Sequence, residues 1–325
     1  VPSPVDSLHA AAREGLIPGG ADLLLAVSGG ADSLALLYAS HEAAAETGWR
    51  LAVGHVHHGW RGREADRDLE FVAEHARRAG LPFLCRRRDA RAESQRLKVS
   101  PEAGARAVRY AALADMAREA GASLVATAHQ ADDVLESYLL ARGRRGGVAS
   151  LAGPRARRAD GVVRPLLAVP RAELEAFLDS RGLAWRRDAT NGDLRLARNA
   201  VRRRIALASP EERAAWSAEA AECREKRDRL DRELEARLRP ALRSAADAVL
   251  VDDEALRPMA PDLLRAAVEE ASSRFARPGR PPMTGRERER LIDLLRGDGD
   301  FSFEAGRRVA VRRRGRVVAF SGRGV

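Results

Sequence analysis

The sequence predicts an α/β protein: a doubly wound parallel sheet followed by a smaller, mainly helical domain. Three observations predict it. Four short apolar runs alternate with helical stretches, the ends of two runs carry glycine- and acid-rich motifs, and the composition changes near Ser209-Pro210. With 325 residues the chain is long enough for two cores, so the expected domains are residues 1–208 and residues 209–325.

The predicted strands are Asp22 to Val27, Leu51 to Val56, Pro82 to Cys85 and Ser123 to Ala128, each an apolar run followed by a helix or loop. Helices are expected at Asp32 to Glu46, Glu64 to Ala79, Pro101 to Ala120 and Ala131 to Arg142, the third opening on proline and acid. In such sheets ligands bind at the carboxyl ends of the strands, which directs attention to the loops after Val27, Val56 and Ala128. From Arg142 to Asp160 the chain is rich in Gly, Arg and Ala without periodicity and reads as a mobile surface loop, a candidate substrate lid. Helices follow near Pro170 to Arg181 and Leu194 to Ile205, then long charged helical sequence from Pro210 to about Arg243. Phe301 to Phe320 alternates apolar and polar residues around Arg314-Gly315, the pattern of a small β-hairpin unit.

Composition excludes several classes. No window approaches the ~18 apolar residues of a spanning helix, and the first residues lack a basic start followed by an apolar signal core, so the expectation is a cytoplasmic protein away from membranes. Two isolated cysteines, Cys85 and Cys223, argue against a disulfide framework, a cysteine zinc site or an iron–sulfur cluster. The net charge is +10, and only Lys98 and Lys226 among the 57 basic residues are lysines. Arginine suits phosphate, yet genomic base composition is the better explanation of the bulk count.

Ser28-Gly29-Gly30-Ala31-Asp32-Ser33 follows the first strand and opens a helix. Glycines there let backbone N–H groups approach an anion, the serines add hydroxyls and the helix start adds positive potential. Asp32 suits a magnesium ion accompanying a nucleotide, or a capping role. The second motif, His129-Gln130-Ala131-Asp132-Asp133-Val134-Leu135-Glu136-Ser137, follows the fourth strand. Asp132, Asp133 and Glu136 fall within one helical turn. They read either as capping and dipole partners or, with His129, as groups for metal binding and proton handling.

The first motif resembles the S-G-G-x-D-S signature of the PP-loop ATP pyrophosphatases, and H-x-x-D-D-x-x-E-[TS] after it is similar to tRNA(Ile)-lysidine synthetases. Further segments agree in order: Ala105-Arg106-Ala107-Val108-Arg109-Tyr110, Arg164-Pro165-Leu166-Leu167, Asp188-Ala189-Thr190-Asn191 and Arg198-Asn199 with Arg202. The resemblance, to the family's short form, implies a PP-loop type sheet and ATP-dependent adenylation of C2 of the wobble cytidine (position 34) of tRNA(Ile) with a CAU anticodon. The ε-amine of free L-lysine then displaces AMP to give lysidine. It implies ATP-binding residues Ser28, Gly29, Gly30, Ala31, Asp32 and Ser33, catalytic residues Asp32, His129, Asp132 and Asp133, and Mg2+ on Asp32 and Asp133. It implies substrate or tRNA contacts at Arg106, Arg109, Tyr110, Glu136, Asp188, Asn191, Arg198 and Arg202, a tRNA-gripping C-terminal domain and a homodimer.

Two departures stand out. His57 occupies a position where the family has Asp or Asn, and Arg142-Gly143-Arg144-Arg145-Gly146-Gly147 replaces an R-G-[ST]-G loop. His55 and His57 share a strand face beside His58, which also admits a metal reading, although no third well-spaced ligand accompanies them. Cys85 sits beside Arg86 to Arg88, a setting that favours a thiolate, but it reads as a buried strand cysteine. The alternatives are a PP-loop tRNA thiolase, which would want more cysteines, and a non-catalytic RNA-binding protein on a decayed nucleotide fold, against which the intact acids and serines argue. Residues 142 to 205 hold 16 basic and 6 acidic residues while the rest has 41 of each, so the charge excess lies beside the proposed site.

Overall fold

The computed structural model describes residues 2–57, 63–97, 99–144, 146–186, 197–276, 282–306 and 309–322. They form two compact units, Val1–Arg224 and Glu225–Val325.

In the first unit helix α1 (Pro4–Arg13) opens on a capping box between Ser3 and Asp6. Strands β1 (Asp22–Ala26), β2 (Arg50–His57) and β3 (Phe83–Arg87) alternate with α2 (Ala31–Thr47), α3 (Arg63–Arg78) and α4 (Ala90–Leu97). Then come α5 (Pro101–Glu119), β4 (Leu124–Ala126), α6 (Ala131–Gly143), α7 (Val148–Leu151), β5 (Val162–Val163), α8 (Arg171–Asp179) and α9 (Ala197–Leu207), while α10 (Pro210–Arg237) runs across the boundary between the units. The parallel sheet has the order β3-β2-β1-β4-β5.

The central strand explains why its sequence is a continuous apolar run. Leu23 and Leu25 pack into one core with Leu34, Leu37 and Leu178, while Leu24 faces a second core with Leu113 and Met116, so both faces are covered. Each buried leucine contributes about 1.5–3 kcal/mol. Gly54 on β2 makes room for this, since a Cβ there would lie 2.9 Å from Leu24 Cδ2. Because β2 and β4 flank β1 on opposite sides, the connections diverge and leave a crevice at the carboxyl edge between β1 and β4. Both motifs border that crevice.

Among the described residues, 146–160 are more regular than their composition suggests. Val148–Leu151 form α7, Ala152 is fully buried, and Arg157 bridges Val163. Leu151 supplies the reason, because it joins the apolar cluster of Val134, Leu135, Tyr138, Ile205 and Trp216. Gly153 turns beneath it at φ +69, where an added Cβ would meet Val134.

In the second unit β6 (Leu242–Ser244), β7 (Ala248–Asp252), β8 (Phe301–Ala305), β9 (Val309–Arg314) and β10 (Val317–Gly322) form an antiparallel sheet ordered β6-β7-β10-β9-β8. The expected hairpin is β9–β10, turning at Gly315 with φ +56, and three more strands widen it. Val249, Phe303, Val311, Val318 and Phe320 face helices α12 (Pro261–Ser273) and α13 (Gly285–Arg296), with the short α11 (Asp253–Leu256) between β7 and α12. Arg313 enters this core with its charge satisfied: it donates to Gly299 O and Gly297 O at 2.6 Å and Leu295 O at 3.2 Å, and pairs with buried Asp253 at 3.3 Å. It thereby caps the carbonyl end of α13.

Candidate active site

At the β1 edge Ser33 organises the glycine turn. Its Oγ accepts from Ser28 N at 3.1 Å and Gly29 N at 3.2 Å and donates to Gly30 O at 2.9 Å. Gly29 adopts φ +94, and a Cβ there would lie 3.4 Å from Phe71 Cδ1 and 3.5 Å from Val72 Cγ2. Glycine is required at this position. Helix α2 starts at Gly30 with no side-chain cap, so the N–H groups of its first turn remain available to an anion.

Asp32 sits in that first turn with Oδ1 buried and without a hydrogen-bond partner. Burial pushes its carboxyl up to about 6 against the opposing charge of Arg171, with Asp133, Glu175 and Asp132 adding like charge. On the other side of the crevice α6 is capped by Gln130, whose Oε1 accepts from Asp132 N at 2.5 Å, while Asp133 Oδ2 accepts from Gln130 N at 3.1 Å. Capping is therefore one role of Asp133. The Asp132 carboxyl is raised by burial, although Arg213, 3.7 Å away, opposes the shift. Ala131 N donates to Val169 O at 3.0 Å, which fastens the start of α6 to the segment leading into α8. There Arg171 Nε donates to Glu175 Oε1 at 2.9 Å.

A second group lies along the β4–β5 edge. Arg164, 2% exposed, donates from Nε to His129 Nδ1 at 3.3 Å, from Nη2 to the Tyr110 hydroxyl at 3.3 Å and from Nη1 to Arg155 O at 2.6 Å. The Tyr110 ring carries Arg106 at 5.0 Å and Arg158 at 4.3 Å from its centroid. Burial would raise the Tyr110 hydroxyl, but Arg106, Arg164 and Arg158 outweigh it and hold it below its ordinary value. Arg109 is exposed on the same helix. On α6, buried Glu136 accepts from Arg202 Nε of α9 at 2.5 Å, and Arg204 lies over the Trp216 ring at 5.1 Å.

The PP-loop domain profile (ATP_bind_3) matches residues 7–208. The chain belongs to the PP-loop family. Its PP-loop domain is also similar to curated proteins named tRNA(Ile)-lysidine synthase. That of Dehalococcoides mccartyi is 38% identical over 198 residues, 58% of this chain and 42% of that protein. That of Thermus thermophilus is 46% identical over 180 residues, 55% of this chain and 34% of that protein. The chain thus spans less than half the length of these two relatives. Among solved structures, the U34-tRNA thiolase NcsA from Methanococcus maripaludis with its 4Fe-4S cluster aligns with TM-score 0.56 at 16% identity, over 70% of this chain and 78% of that one. That likeness is one of fold.

The PP-loop turn and the second motif border one crevice, where the Asp132 and Asp133 charges both act on Asp32. Tyr110 and His129 meet through Arg164, Arg106 lies over the Tyr110 ring, and Glu136 meets Arg202. Asp188 and Asn191 lie outside the described residues, as do the side chain of Arg198 and His58. His55 Nδ1 lies 2.8 Å from Val27 O and serves the sheet, and burial lowers its pKa. Cys85 and Cys223 are free, half-buried thiols. Among the described residues no group of three or more His, Cys, Asp or Glu is arranged to hold a metal ion, and no helix is long and apolar enough to cross a membrane. Sequence reasoning missed Arg171 and Glu175. The available signal was an Arg/Glu pair at i,i+4 directly after Pro170, at the carboxyl side of the sheet.

Proposed function

We propose that the protein joins free L-lysine to C2 of the wobble cytidine, position 34, of tRNA(Ile) with a CAU anticodon, consuming ATP and releasing AMP and pyrophosphate. The observation that carries this reading is the convergence of Ser28 to Ser33 with Asp132 and Asp133 at one crevice of a PP-loop domain. The similarity to the lysidine synthases supports it over the same residues.

Ser33 holds the turn closed, so the ATP phosphates meet the Ser28 hydroxyl and the uncapped N–H groups of Ala31, Asp32 and Ser33. The buried, unpartnered Oδ1 of Asp32 fits a divalent cation. Asp32 and Asp133 would hold Mg2+, which would supply charge neutralisation for the phosphates. Arg106, Arg109 and Tyr110 contact the anticodon nucleotides, as do Asp188, Asn191 and Arg198. His129 lies beside the adenylated base. The incoming ammonium must lose a proton before it attacks C2, and we assign that proton to Asp132. Glu136 and Arg202 form the pair that fixes α6 against α9 beside the substrate. Residues 1–208 carry the chemistry and residues 209–325 hold tRNA outside the reaction centre, in a cytoplasmic homodimer.

Radiolabelled lysine, ATP and magnesium incubated with tRNA(Ile) transcripts test the reading. Label should enter the CAU transcript and not one carrying U34. Transfer of sulfur with no transfer of lysine would replace the proposal with the thiolase alternative.

A further inference from the structure

His129 Nδ1 faces a hydroxyl that can donate or accept and a guanidinium that can only donate. Thr127 Oγ1 lies 3.0 Å away and also 3.4 Å from Val163 O. Alone, this arrangement permits a relay in which Nδ1–H donates to Thr127 and the hydroxyl donates onward to Val163. Arg164 Nε, at 3.3 Å, always carries its hydrogen and can only donate. A protonated Nδ1 would set two donors face to face, so Nδ1 has to accept. We propose that Arg164 is a positioning residue that fixes His129 as the Nε2–H tautomer, so that the ring presents a hydrogen-bond donor, and not a base, on its far edge.

The surroundings of Arg164 are built to keep it in place. Its side chain is buried, and each guanidinium nitrogen has an acceptor: His129, Tyr110 and Arg155 O. Its backbone N–H donates to Ala156 O at 2.8 Å. One acceptor from the β4 loop, one from α5 and two from residues 155–156, the last taking the backbone N–H, thus set the direction of the Nε–H bond. The ring tautomer follows from that direction, as with histidines oriented by a second group. The kinetic part of the inference rests on the proposed adenylation, where an Nε2–H donor suits an oxygen gaining negative charge and a neutral base does not. The tautomer itself is independent of that reading.

Long-range 15N–1H NMR on histidine-labelled full-length protein tests it, with His129→Asn identifying the signal. The wild type should show unprotonated Nδ1 and protonated Nε2. Arg164→Met should move His129 toward the Nδ1–H form, because Thr127 becomes its sole partner of these two, whereas Thr127→Val should leave the tautomer unchanged. In ATP-dependent AMP release, Arg164→Met should lower kcat about tenfold or more with KM for ATP held, and Arg164→Lys should not restore it without restoring the tautomer. A protonated Nδ1 in the wild type overturns the proposal even if every variant misfolds. So does an Arg164→Met protein that keeps the Nε2–H form. Failure of lysine transfer with the predicted tautomer present would count against the proposed reaction alone.

Discussion

Asp32→Asn should stabilise the protein while removing its chemistry. Burial raises the Asp32 carboxyl from 3.8 to about 6, so the folded state holds the proton more tightly than the unfolded chain. Between those values stability falls as pH rises, and above about pH 6 the folded protein carries the whole penalty. The displacement corresponds to about 3 kcal/mol. Asparagine has a similar volume and no charge to bury. The variant should therefore equal wild type near pH 4 and exceed it by up to about 3 kcal/mol at pH 7.5. Urea denaturation followed by tryptophan fluorescence is the assay, because Trp49, Trp60, Trp185 and Trp216 all lie within residues 1–224. At about 2–3 kcal/mol per molar urea the midpoint should rise by about 1 M. Subtracting the wild-type curve cancels groups that titrate alike in both proteins. A difference that stays flat from pH 4 to 7.5, or a variant less stable at neutral pH, would show that Arg171 fully offsets the burial of Asp32 and refute the prediction.

Three further outcomes follow from the same geometry. Gly29→Ala should cost about 1–2 kcal/mol, because alanine at φ +94 is strained even though its Cβ would find ordinary contact distances, and ATP turnover should fall with it; equal stability and turnover would contradict the turn geometry. Arg202→Ala should destabilise the first unit by about 2–3 kcal/mol by removing a charged partner of buried Glu136, Arg202→Ala with Glu136→Gln should recover part of that loss, and exposed Arg118→Ala should change it by less than about 0.5 kcal/mol. Urea melts check this directly, and tRNA-binding losses at Arg202 have to be read after it. Arg313→Met should open the second unit by about 3 kcal/mol or more, since Asp253 and several carbonyls lose their donor, and hydrogen exchange of the α13 and β9 amides measures it.

What could be read from the sequence follows the range of the interactions. The run Leu23 to Leu25 reads as a strand because both its faces are buried, and Pro101 marks the start of α5 by local chemistry alone. The two crevice motifs were legible because each sits at a strand-to-helix junction. Strands β5 and β6, with two and three residues, have no periodicity to detect. Residues 142–160 read as featureless because the partners of Leu151 come from α6, α9 and α10. Arg164 could be named by its resemblance but not given a role. Its function lies in acceptors supplied by residues 110, 129 and 155, which only the folded sheet brings together.

In the proposed reaction this crevice adenylates one cytidine before any amine arrives. With lysine omitted, the protein should convert α-labelled ATP and tRNA(Ile) into an AMP adduct. Nuclease digestion and mass spectrometry should locate that adduct at C34, and added lysine should discharge it as AMP with lysidine left behind. An adduct at another nucleotide, or lysidine formed with no adduct ever detectable by rapid quench, would contradict the account.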